Sequence, residues 1–73
     1  MDGGIVVTLY YDTEHNLMMD EDGFLVYNIY DYITPSMLFL FLKKKETMIF
    51  EISSRCFVEL VYPEEDEEEL PFL

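Results

Sequence analysis

Three short runs in this chain of 73 residues place apolar side chains at alternate positions, and this spacing restricts the fold more than any other feature. Residues 4–11 are rich in β-branched and aromatic side chains, and residues 47–52 and 56–62 repeat the pattern. Successive side chains of a β-strand point to opposite faces, so each run would turn one apolar face towards a core. The sequence therefore predicts a strand in each run.

The side chains of opposite parity in these strands point away from the predicted core, and four of them are apolar. They are Val6, Ile49, Phe57 and Val61. A small domain with more apolar residues than its core needs commonly buries the excess against a partner, often a copy of itself. We expect these four residues to form the interface of a homodimer.

Two further segments bear on the fold. Residues 24–33 alternate again after an Asp-Glu-Asp-Gly turn, which predicts a second strand antiparallel to the first. Residues 36–42 follow Thr34 and Pro35, a good N-cap and first helical residue, and could form two turns of helix. Periodicity cannot decide for so short a run, and a strand is favoured because residues 43–46 would suit a hairpin loop.

The expected architecture is mainly β, a small antiparallel meander of four to five strands, with or without one short helix near residues 35–42. Residues 1–62 would form a single β-rich domain. Residues 63–73 would form a flexible acidic tail with an apolar tip, because a run of six carboxylates cannot be buried.

Charge is the main functional clue. Sixteen acidic residues against four basic ones give a formal net charge of −12, and residues 1–31 hold seven acids and no Lys or Arg. Nucleic acid and anionic membranes are poor partners for such a chain, because both are bound through clusters of Lys and Arg. A basic protein is the expected partner. The candidate contact residues are Asp12, Glu14, Asp20, Glu21, Asp22, Asp31, Glu64, Glu65, Asp66, Glu67, Glu68 and Glu69.

An enzyme is not predicted. The chain has one His and one Cys, and no Gly-rich loop that could hold a phosphate group. Cys56 falls on the inner side of a predicted strand, where a small buried apolar residue is its usual role. The turn at residues 20–23 lacks the ligand spacing of a calcium loop. We expect no catalytic residue, no metal and no cofactor.

The expected location is the cytoplasm. A single Cys cannot form an intramolecular disulfide, which small secreted domains usually need. No basic segment precedes the first apolar run, as it would in a signal peptide. The longest apolar run, residues 37–42, is far shorter than the roughly 20 residues that span a bilayer.

The length, the acidity concentrated towards both ends and the aromatic-rich strands resemble those of the small acidic proteins with which bacteriophages inhibit host DNA-binding proteins, including the nucleoid protein HU. This resemblance implies a DNA mimic that occupies the DNA-binding surface of a basic dimer, in the cytoplasm or nucleoid of the host. Alternate residues of a strand repeat about every 6.5 Å, a spacing comparable to that of phosphates along a nucleic-acid strand.

The end of the chain resembles a different family. Glu69, Leu70, Pro71 and Phe72 follow an acidic run, as in the C-terminal tip of bacterial single-stranded DNA-binding proteins. The resemblance implies a recruitment module in which Leu70, Pro71 and Phe72 dock into a pocket of a replication or repair protein. Leu73 departs from the pattern, because it moves the free carboxylate off Phe72. Both hypotheses remain open on sequence grounds.

Overall fold

A computed structural model describes residues 4–64, which form one four-stranded sheet and one α-helix. The elements in chain order are β1 (Ile5–Asp12), β2 (Leu17–Met19), a 3₁₀ turn (Ile29–Asp31), α1 (Pro35–Lys44), β3 (Met48–Ser53) and β4 (Cys56–Val61). The predicted mainly β class with a short helix is confirmed. No helix in this part of the chain is long and apolar enough to cross a membrane.

The sheet has the strand order β2-β1-β4-β3. β2 pairs antiparallel with β1, and β3 pairs antiparallel with β4, but the two central strands, β1 and β4, run parallel. The expected meander is corrected in this respect, and the sheet is mixed. The physical reason is the connection: parallel neighbours need a long crossover, and the segment that contains α1 carries the chain from one hairpin to the other.

One face of the sheet packs against α1 and carries the core. Leu9, Val58 and Leu60 from the central strands are fully buried, as is Phe41 from the helix. The Phe41 ring meets Tyr11 and Tyr62 edge-on, with ring centroids 5.7 and 5.6 Å apart. Alternation in the three runs thus predicted correctly which side chains of β1 and β4 face inward.

The favoured strand at residues 36–42 is wrong, because this segment is helical. The hydroxyl of Thr34 accepts a hydrogen bond from the backbone N–H of Met37 at 3.3 Å, and Pro35 opens the helix. Lys45 ends it with a left-handed backbone at φ 57°, so the expected hairpin loop is the helix C-cap. Capping at both ends, together with burial of Phe41, outweighs the strand-like alternation.

The predicted second strand is also displaced. The strand that pairs antiparallel with β1 is β2, and residues 24–33 contribute only an isolated bridge between Leu25 and Met19. Further along, the Asn28 side chain accepts a hydrogen bond from the Tyr30 backbone N–H at 3.2 Å and caps the 3₁₀ turn. This local side-chain bond competes with extended pairing and ends it.

Replacement of two Phe residues of α1 tests the helix directly. On a strand, Phe39 and Phe41 would share a face, whereas on the helix Phe41 is fully buried and Phe39 is 68% exposed. We expect Phe41→Ala to lower the free energy of unfolding by about 3–5 kcal/mol. Phe39→Ala should change it by less than about 0.5 kcal/mol. Urea unfolding followed by circular dichroism measures both, and equal losses would contradict the helix.

Candidate functional site

The acidic residues predicted to bind a partner lie in separate places. Asp12 ends β1, Glu14 lies in the turn between β1 and β2, and the acids of residues 20–22 belong to the turn after β2. Asp31 lies in the 3₁₀ turn, in the layer that contains α1, and Glu64 follows β4. The rest of the acidic run and the predicted docking residues of the tip, residues 65–72, fall outside the described residues.

Both oxygens of the Asp12 carboxylate accept hydrogen bonds from the turn that follows β1. One oxygen accepts hydrogen bonds from the backbone N–H groups of Glu14 and His15 at 2.9 and 3.3 Å. The other accepts from the Nδ1 atom of His15 at 2.8 Å. These bonds, above all the one from the His15 ring, lower the pKa of Asp12 below its ordinary value. Asp12 therefore shapes the turn, while the Glu14 side chain is exposed.

Asp20 has the same role in the second turn. Its Oδ1 atom accepts hydrogen bonds from the backbone N–H groups of Asp22 and Phe24, both at 2.9 Å. Gly23 closes the turn with φ 87°, a backbone region that glycine adopts without strain. Glu21 and Asp22 are left exposed on the outside of the turn.

This second turn lies beside the first half of β1. β2 pairs only with residues Tyr10, Tyr11 and Asp12, so that half has no β2 neighbour. A shallow groove lies where a longer β2 would have paired with this half of β1. The residues that line the groove are Val6, Val7, Thr8, Asp20, Glu21 and Asp22. The acidic turn therefore borders the sheet.

The four residues predicted to form a dimer interface all lie on the side of the sheet away from α1. In the register, Val6 pairs with Phe57, Tyr10 with Val61, and Ile49 with Glu59. We call this surface the open face. It consists of Val6, Thr8, Tyr10, Met19, Ile49, Glu51, Phe57, Glu59 and Val61. Val6 and Ile49 are 50% and 57% exposed, and no other element of residues 4–64 packs over them. Pairing of two copies through this face stays a prediction.

Two acidic residues of the open face were not among the predicted contacts. Glu59 lies in register between Thr8 and Ile49, and the Thr8 hydroxyl donates a hydrogen bond to its Oε1 atom at 3.4 Å. Glu51 lies diagonally from it on β3, two positions beyond Ile49. Within residues 4–64 neither carboxylate has a Lys or Arg at ion-pair distance. Strand parity alone could have found them, because they alternate with apolar residues of this face.

The reactive side chains Cys56 and His15 lie far apart in the fold. Cys56 begins β4 opposite Ile5, and His15 lies beyond the other end of β1, so roughly 20 Å of strand separates them. Asp12, Glu14 and His15 bring three possible metal-ligand atoms within 4.8 Å of one another. The Asp12 oxygens already accept hydrogen bonds in the turn, an arrangement typical of an exposed Asx turn.

Comparison with protein-family models, with curated proteins and with solved structures finds no match to this chain. Its function is therefore inferred from the residues and their arrangement.

The contact between His15 and Asp12 predicts a pH effect. A carboxyl group whose pKa is lowered by folding stabilises the folded state above its ordinary pKa, and this contribution is lost as pH falls through the lowered value. We expect His15→Ala to raise the folded-state pKa of Asp12 towards its ordinary value. NMR titration of the Asp12 carboxyl carbon measures the change. An unchanged pKa would mean that the ring does not hold the carboxylate.

Proposed function

We propose that this protein is a non-enzymatic DNA mimic that occupies the DNA-binding surface of a basic host protein, with an HU-like nucleoid protein as the favoured partner, in the host cytoplasm or nucleoid. The observation that carries the proposal is the group of acids on one side of the sheet, with no Lys among them. Acids lie on the open face and in the turn beside it: Glu51, Glu21 and Asp22 are exposed, and Glu59 is half-buried. The three lysines lie at the end of α1, in the opposite layer.

The arrangement of these acids is suited to binding by a partner surface that normally binds phosphate groups. A DNA-binding protein offers Lys and Arg side chains at intervals set by the nucleic-acid backbone. Along β2, the turn with Glu14 and the turn with Glu21 are separated by the three strand residues, or roughly 10 Å. Carboxylates spaced over such a surface would attract the partner at long range, and binding would weaken as salt increases.

The recruitment hypothesis remains the alternative. It rests on the sequence of the tip, in particular Phe72, which lies outside the described residues. The two hypotheses differ in which residues binding requires, and one assay separates them.

The proposal is tested by competition for a DNA-binding protein. Purified bacterial HU is first saturated with a fluorescent DNA duplex, and the protein is then added while anisotropy is recorded. We expect the duplex to be released, and release to require more protein as salt rises. If HU keeps its DNA at low salt and does not bind the protein, the mimic proposal is wrong for this partner.

Charge-neutral variants locate the contact. We expect the double variant Glu21→Gln with Asp22→Asn to weaken competition by about threefold to tenfold, because exposed charge pairs each contribute modestly. Glu46→Gln is the control, since Glu46 is an exposed acid in the loop between α1 and β3. Loss of binding in Phe72→Ala, with the double variant unaffected, would instead support recruitment through the tip.

A further inference from the structure

Within residues 4–64, no helix or strand packs on the open face, although the centre of this face is apolar. Val6, Ile49 and Tyr10 are between 44% and 57% exposed, and Phe57 and Val61 beside them are half-buried. A sheet with one solvated face usually alternates apolar and polar residues so that its outer face is polar. An exposed apolar surface of this kind marks a contact with another molecule.

Glu59 restricts what that molecule can be. Its carboxylate lies between Thr8 and Ile49, among the apolar side chains, and its neighbour on the diagonal is Glu51. Any molecule that covers the apolar residues also removes these carboxylates from water. A carboxylate buried without a cation is strongly unfavourable, so a molecule that supplies positive charge is favoured as the cover.

A second copy of the chain does not meet this requirement. A symmetric dimer centred on the open face would bury Glu51 and Glu59 of both copies in one interface. Lys43, Lys44 and Lys45 lie at the end of α1, on the opposite side of the sheet. Arg55 sits in the turn between β3 and β4, at the margin of the face. The centre would therefore hold like charges without a partner.

Packing of the chain's own C-terminal end on the open face would also be unfavourable. Its apolar tip is joined to six consecutive acids, and these would be drawn against the carboxylates of the open face and the acidic turn. Like charges brought together at short range repel one another.

We propose that the open face is the surface on which the basic partner docks, with a Lys or Arg of that partner placed against Glu59 and Glu51. This inference rests on the proposed function and adds the site of contact. Lys and Arg have apolar stems below their charged ends, so one side chain can pack on Val6 or Ile49 and still reach a carboxylate. The acidic turn of Glu21 and Asp22 adds charge at the border of the same surface.

The first test removes the charge of one carboxylate. Glu59→Gln keeps the shape of the side chain and an oxygen that can accept the Thr8 hydrogen bond, but it removes the charge. With purified HU as the probe, we expect its dissociation constant to increase by about tenfold or more, as for truncated charge pairs within an interface. Glu46→Gln also removes one carboxylate, and its effect should stay below about twofold because it acts only at long range.

The salt dependence of HU binding distinguishes a carboxylate inside the interface from one outside it. Between roughly 0.05 and 0.3 M salt, the effect of Glu59→Gln should persist, because partly buried charges are screened much less than exposed ones. The effect of neutralising Glu21 and Asp22 should shrink over the same range.

The second test is the apolar part of the face. Ile49→Ala should weaken HU binding by about threefold or more, because Ile49 would lose its contact with the partner. Phe39→Ala is the matched control, since Phe39 is more exposed than Ile49 but lies on the helix. Circular dichroism of each variant checks that the fold is unchanged.

The outcomes are distinct. If the wild type binds HU but Glu59→Gln and Ile49→Ala behave like their controls, the docking face is wrong while the mimic proposal stands. If HU is not bound at all, the proposed function is what fails. A dimer in analytical ultracentrifugation that Ile49→Ala dissociates and Glu59→Gln tightens would assign the face to a second copy. Tighter HU binding by Phe72→Ser would assign it to the chain's own end.

Discussion

The parallel pairing of β1 with β4 is the contact on which the rest of the structure depends. It joins the two hairpins, and only after it forms do Leu9, Val58 and Leu60 have a common core for Phe41 to fill. The pairing is close where it begins: the Ile5 backbone N–H donates to the Arg55 carbonyl oxygen at 2.7 Å, and a side chain at Gly4 would meet that oxygen at 2.6 Å. Because the pairing spans about fifty residues of sequence, it is a non-local contact of the kind that slows folding.

Local patterns predicted the parts of the fold that local physics decides. Alternation identified β1, β3 and β4, and it assigned Leu9 and Val58 to the inner side. It could not identify the partner of β1, since no residue near β1 indicates a neighbour fifty positions away. It also misassigned residues 36–42. Residues 37–42 are all apolar, so the spacing expected of a strand and that expected of a helix both fit. Capping by Thr34 was the better signal.

The sequence indicated which acids are exposed better than it indicated where they lie in the fold. Counting acids found Glu14, Glu21 and Asp22 correctly as exposed residues, yet it gave equal weight to Asp12 and Asp20, whose carboxylates hold their own turns. Those bonds depend on turn geometry that composition does not reveal. Glu59 was passed over for the opposite reason: it lies in a stretch of low net charge, and only its position on a strand shows that it shares a face with Ile49.

The three lysines that end α1 have a role beyond capping the helix. They place positive charge on the side of the sheet opposite Glu59 and the neighbouring turn. Under the proposed function, the field of a cationic partner would attract the acidic side and repel the lysines, which turns the open face towards the partner before the surfaces touch. A larger fraction of diffusional encounters would then begin in the orientation that leads to a complex.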